Sequence, residues 1–141
     1  MPDLTKVKAD LAAAGIPARY QEKGVFAVVS TYEASSTAAD TVIEMCKVQA
    51  GVTVIGGQVI YDALGSSTTV AVGDSTATTF TAAFLAATSS ASAGATALMT
   101  GGKFPKTYTV DDTIDIQVAG ATASGTITLV VLMTAEEVDL A

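Results

Sequence analysis

The sequence predicts an all-β fold: a jelly-roll-like antiparallel β-sandwich of about eight strands, preceded by a short N-terminal helical arm. Three observations predict it. After residue 23, short β-branched runs alternate with Gly-, Ser-, Asp- and Ala-rich breaks, at the spacing of a sandwich rather than a helical bundle. Threonine, which sits well on the exposed side of a strand, occurs 21 times. Thr113-Ile114-Asp115-Ile116-Gln117-Val118 alternates strictly, sending Ile114, Ile116 and Val118 to one face, and Thr126-Ile127-Thr128-Leu129 begins the same way. A β-solenoid would also be built of short strands, but no fixed-period repeat is present.

The elements divide into an arm, residues 1–23, and a sandwich, residues 24–141. Asp3 is a good N-cap, and Gly15 followed by Pro17 is a good stop, so the arm reads as a helix from Asp3 to Ala14. Leu4, Val7, Leu11 and Ala14 fall on one face of it. A helix this short is marginal alone, so it must dock on its own β body or on a partner. Candidate strands cover 25–32, 41–48, 53–61, 68–72, 79–85, 95–99, 106–110, 113–119 and 126–133. Gly56-Gly57 interrupts the third and calls for a bulge or a split. Breaks are expected at 34–39, at Gly65-Ser66-Ser67, at Gly73-Asp74-Ser75, at Gly101-Gly102 and at 120–125. The small-residue stretch 86–97 reads as a long surface loop. In the last strand, Val130-Val131-Leu132-Met133 is apolar on both faces. One face meets the opposite sheet. The other needs a second cover, from the arm or from another subunit. Leu4, Val7 and Leu11 on the arm, with Val130 and Leu132, are therefore the candidate oligomer or partner contacts.

Composition narrows the function classes. The chain has 141 residues, the size of one domain with a core of its own. Half of them are hydrophobic, but 26 are alanine against 8 leucine and 7 isoleucine, so large core residues are few and association between copies would help. The net charge is −7 and the one arginine is Arg19, which speaks against a nucleic-acid partner that needs clustered Lys and Arg. The start lacks the basic-then-apolar pattern of a signal peptide, and no apolar run approaches the roughly 18 residues of a membrane span. Cys46, the single cysteine, sits in an apolar run and reads as a small buried hydrophobe rather than a reactive thiol.

Catalytic and cofactor chemistry finds no footing. With no histidine, neither a Ser-His-Asp nor a Cys-His arrangement can be built, and one cysteine does not make a zinc site. Gly56-Gly57, Gly73 and Gly101-Gly102 match no phosphate-binding fingerprint. Asp111, Asp112 and Asp115 are the nearest thing to an acidic constellation. Calcium is one reading of it, but Asp111-Asp112 reads better as a solvated turn and Asp115 as the outward residue of its strand. No enzyme, no metal and no cofactor is therefore expected. The eight aromatic residues include no tryptophan, so a sugar-stacking platform has little support.

Several strings resemble small virion proteins of tailed phages. They are Ser30-Thr31-Tyr32-Glu33, then Thr41-Val42-Ile43-Glu44-Met45-Cys46-Lys47-Val48-Gln49-Ala50-Gly51, Val70-Ala71-Val72-Gly73-Asp74, Phe84-Leu85-Ala86-Ala87-Thr88-Ser89 and Tyr108-Thr109-Val110-Asp111-Asp112-Thr113-Ile114-Asp115. The family is that of capsid decoration or cement proteins, and the likeness runs over about residues 25–133. It implies a jelly-roll-like fold, a place on the capsid exterior, the major capsid protein as partner and a homotrimer as the working form. It carries over no catalytic residues. A fibre-tip or receptor- and carbohydrate-binding module is the alternative of a different class.

Overall fold

The computed structural model describes residues 5–9, 24–98 and 105–135. Among them the regular elements are all strands: β1 (Lys6–Lys8), β2 (Gly24–Thr37), β3 (Val42–Val48), β4 (Val52–Tyr61), β5 (Thr69–Ser75), β6 (Phe80–Ser89), β7 (Gly94–Ala97), β8 (Lys106–Thr107), β9 (Asp112–Ala119) and β10 (Ala123–Ala135). They make two sheets. One has the order β1-β3-β9-β5-β6; the other has the order β2-β10-β4-β7, with β8 pairing β4 beside it. Every pairing is antiparallel except that of β1 with β3.

The alternating segments drive this architecture. Ile114, Ile116 and Val118 of β9 are buried and join Ile43, Val72, Phe84 and Leu85 from their own sheet. Val28, Val54, Val59, Ile127, Leu129, Val131 and Met133 meet them from the other. A fully buried side chain of this size contributes about 1.5–3 kcal/mol, so the facing rows hold the sheets together. Two polar ties cross between the sheets. The Ser30 hydroxyl on β2 donates to the Met45 carbonyl on β3 at 2.6 Å. Met45 lies at a bulge, where the register with β9 shifts between Glu44 and Cys46. A bulge leaves its extra residue out of the ladder, and the opposite sheet supplies the missing partner. At one end of the sandwich, Lys106 on β8 pairs with Asp74 on β5. The Tyr108 hydroxyl donates to the same carboxylate at 2.8 Å, and the Lys106 ammonium lies 4.9 Å from the Tyr108 ring centre.

Four expectations need correction. The helix over Asp3–Ala14 is not observed: Lys6–Lys8 is a strand, parallel to Val42–Glu44. Val42 N–H donates to the Thr5 carbonyl and Ala9 N–H to the Glu44 carbonyl, both at 2.9 Å. These ladder bonds and the burial of Ala9 outweigh the slight intrinsic preference of a short helix. Leu4, Leu11 and Ala14 lie outside the described residues. The break at 34–39 begins only after Thr37, because Ala34 pairs with Gly125 and both strands use small residues to approach. Gly73-Asp74-Ser75 continues β5 through an irregular stretch of its pairing with β6; a Cβ on Gly73 would lie 1.8 Å from the Thr81 carbonyl oxygen. The loop at 86–97 shrinks to 90–93, since Thr88 and Ser89 pair with β5 and Gly94–Ala97 pairs with β4.

The bulge expected at Gly56-Gly57 is present. Leu132 pairs with Gly56 and Met133 with Val54, so Ile55 is the extra residue. The two glycines differ in what they allow. A Cβ on Gly57 would stand 2.2 Å from the Val130 carbonyl oxygen, and its φ of +146° disfavours any side chain. A Cβ on Gly56 would meet only the Leu132 side chain, at 4.0 Å. Gly57→Ala is therefore expected to cost about 3 kcal/mol in denaturant unfolding, and Gly56→Ala to change stability little. Equal effects of the two would contradict this account of the bulge.

Candidate functional site

The side of the β2-β10-β4-β7 sheet turned away from the core forms the most distinctive surface. Residues directly opposite each other in an antiparallel pair share a face. The register therefore builds rows across it: Ala27–Leu132–Gly56, Val29–Val130–Gln58 and Thr31–Thr128–Ile60. Val29 is 58% exposed and Leu132 38% exposed, and Val25, Ile55 and Ile60 are exposed beside them. The strands beneath carry almost no charge: β4, β7 and β10 have none, and β2 has only Glu33, whose carboxylate accepts a hydrogen bond from the Thr126 hydroxyl. Of the contacts expected from sequence, the structure brings Val130 and Leu132 together here. Val7 lies on the other sheet, half-buried and packed against the core. Val25, Val29, Ile55 and Ile60 were missed. The run Val25-Phe26-Ala27-Val28-Val29 is apolar at both parities, as Val130–Met133 is, and carried the same signal.

The corresponding side of the other sheet differs. Val42 and Ala71 are buried there although they alternate with the core-facing Ile43 and Val72, so the chain covers this face itself. Asp115 lies on it and is fully buried. It faces away from Ile114 and Ile116 as expected, but it is not solvated. Ser75 and Thr113 hydroxyls donate to its two oxygens, each at 2.6 Å. Across the ladder stands Glu44. Burial, and after it the charges of Glu44 and Asp112, push the Asp115 carboxyl up to about 7, against the lowering effect of the two hydroxyls. Burial also pushes the Cys46 thiol up to about 12, so it is a protonated core group.

The remaining carboxylates hold the chain's own loops. Asp111 accepts from the Ala50 N–H at 2.9 Å in the turn between β3 and β4, and Asp112 accepts from the Thr113 N–H at 2.7 Å. Among the described residues, no three His, Cys, Asp or Glu side chains are grouped to hold a metal ion. An open groove of about 390 Å³ lies beside them, lined by Lys6, Glu44, Lys47, Val48, Ser75, Asp111, Asp112 and Thr113. Its charges are of both signs and it is broadly open, so it offers neither a placed acid–base pair nor a water-excluding cleft.

No family model matches the sequence, and no curated protein matches it. Solved structures do share the fold. A chain in the capsid of Ralstonia phage GP4 superposes with a TM-score of 0.77 at 17% identity, over 94% of this chain and 99% of that one. A chain of the cyanophage Pam1 capsid asymmetric unit gives 0.62 at 22% identity, over 91% and 94%. A chain from the acidic stable capsid structure of Helicobacter pylori bacteriophage KHP30 gives 0.56 at 13% identity, over 83% and 92%. All three come from phage capsids, the kind of particle to which the sequence resemblance points, and each match spans at least 83% of both chains.

The buried carboxyl has a consequence for pH. The folded chain holds Asp115 near 7, above its ordinary 3.8, so folding favours the protonated form. This stabilisation is complete below about pH 4, falls by at most about 1.4 kcal/mol per pH unit as pH rises, and is lost above about 7. Burial raises Asp112 in the same direction. Thermal melts should show the chain more stable at about pH 5 than at about pH 8, and Asp115→Asn should flatten that difference. A stability that rises from pH 5 to pH 8 would refute this role for Asp115.

Proposed function

We propose that this chain is a virion structural protein that binds the outer surface of a phage capsid and stabilises it, as a decoration or cement protein working as a homotrimer. The observation that carries this reading is the end-to-end likeness of fold to chains of three phage capsids, reaching 94% of this chain and 99% of its counterpart. Those counterparts are close to this chain in length, so the likeness runs through most of each. The two sheets fit a jelly-roll-like sandwich. The chain works without catalysis: it needs contact area placed across seams, and anything that binds only the assembled state stabilises it by mass action.

The major capsid protein is the partner in this reading, and the exterior is the location. A net charge of −7 suits a surface in solvent, since packaged nucleic acid would repel it. Many copies on a symmetric shell multiply modest contacts through avidity.

The test is direct. Purified chain added to phage capsids that lack it should bind to a fixed stoichiometry and raise the temperature at which they come apart. Absence of binding would refute the decoration role. Binding to a glycan array in its place would move the chain to a fibre-tip or receptor-binding class.

A further inference from the structure

We propose that the outer face of the β2-β10-β4-β7 sheet is where copies of this chain pack on one another. The inference deepens the homotrimer named above and rests on that part of the reading, not on capsid binding.

Charge argues for it first. The chain carries −7 overall, so copies repel one another wherever their charged surfaces meet. This face is the described surface on which they would not. Val25, Val29, Ile55, Ile60, Val130 and Leu132 lie on it among the uncharged Thr31, Thr128 and Gln58, and its strands hold a single carboxylate, Glu33, at one end and tied to Thr126. A charged partner surface laid on it would lose water and find no counter-charge. An uncharged apolar surface would lose nothing of the kind, and the same face of another copy is such a surface. The opposite sheet has Lys6, Glu44, Lys47, Asp74, Asp112 and Asp115 in its strands and covers its own outer side.

Size argues for it second. The strands β2, β10 and β4 are 14, 13 and 10 residues long. At about 3.3 Å per residue and about 4.8 Å between strands, with the short β7 added, they present about 650 Å² of sheet per copy. Two such faces in full contact would withdraw about 1,300 Å², within the range of specific interfaces. Its apolar part, Val25, Val29, Ile55, Ile60, Val130 and Leu132, is the kind of contiguous exposed patch that marks a contact surface. In a trimer the three faces would turn toward a common axis, each divided between two neighbours.

Sedimentation at micromolar concentration, with circular dichroism to confirm the fold, tests this. The unmodified chain should sediment at a multiple of 14.1 kDa. Val29→Lys and Leu132→Lys change exposed side chains, so each should keep its β spectrum and fall to monomer, with self-association weakened at least tenfold. Ala87→Lys, exposed on β6 in the other sheet, should leave the oligomer intact. An oligomer that survives both face variants overturns the placement while leaving the homotrimer standing. A monomeric unmodified chain overturns the inference outright. Capsid binding by each variant is measured separately: a monomeric unmodified chain whose binding Val29→Lys abolishes would assign the face to the capsid.

Discussion

The pairing of Ala123–Ala135 with strands on both sides is the contact on which the structure depends. Along its 13 residues β10 meets β2 on one edge and β4 on the other. A strand so placed has its backbone satisfied by neighbours, so it needs no polar side chain to reach water, and it carries no charge. Its inward residues Ile127, Leu129, Val131 and Met133 are fully buried, and truncating any one of them to alanine would leave a cavity costing about 2–5 kcal/mol. Its outward residues Val130 and Leu132 have no comparable cover. The same strand therefore supplies the middle of the core and the middle of the bare face.

The two sheets resolve the same problem differently. Each has a core side and an outer side. The β1-β3-β9-β5-β6 sheet buries part of its outer side within the chain, and it keeps there a carboxyl, Asp115, held by two hydroxyls and no cation. The other sheet leaves its outer side open, with Glu33 at one end as the single charge in β2, β10, β4 and β7. An acidic chain rich in alanine, with few large side chains for a core, thus keeps exposed apolar side chains on one sheet face, which is the face proposed above for contact between copies.

Much of this was legible in the sequence, for identifiable reasons. Strict alternation in β9 and the double-faced apolar run of β10 fix side-chain direction by period alone, so the core rows and the outward direction of Val130 and Leu132 could be read directly. The glycine pair in β4 announced its bulge. The readings that failed depended on partners distant in sequence. Lys6–Lys8 becomes a strand because Val42–Glu44 lies beside it, and nothing within the first 23 residues reveals that. Ala34–Thr37, Gly73–Ser75 and Ala86–Ser89 look like breaks by composition, yet small residues there let strands come close. Asp115 was assigned the correct side of its strand and the wrong solvent, because alternation tells which way a residue points and not what lies over it.

The fold, the charge distribution and the likeness of fold to chains of phage capsids are what support the proposed decoration role. A density map of the decorated particle, clear enough to show side chains, examines this most directly. The chain is expected on the outside of the shell, with Val29, Val130 and Leu132 buried against other copies of itself. A map with the chain inside the shell, or with those three side chains facing solvent, would contradict it.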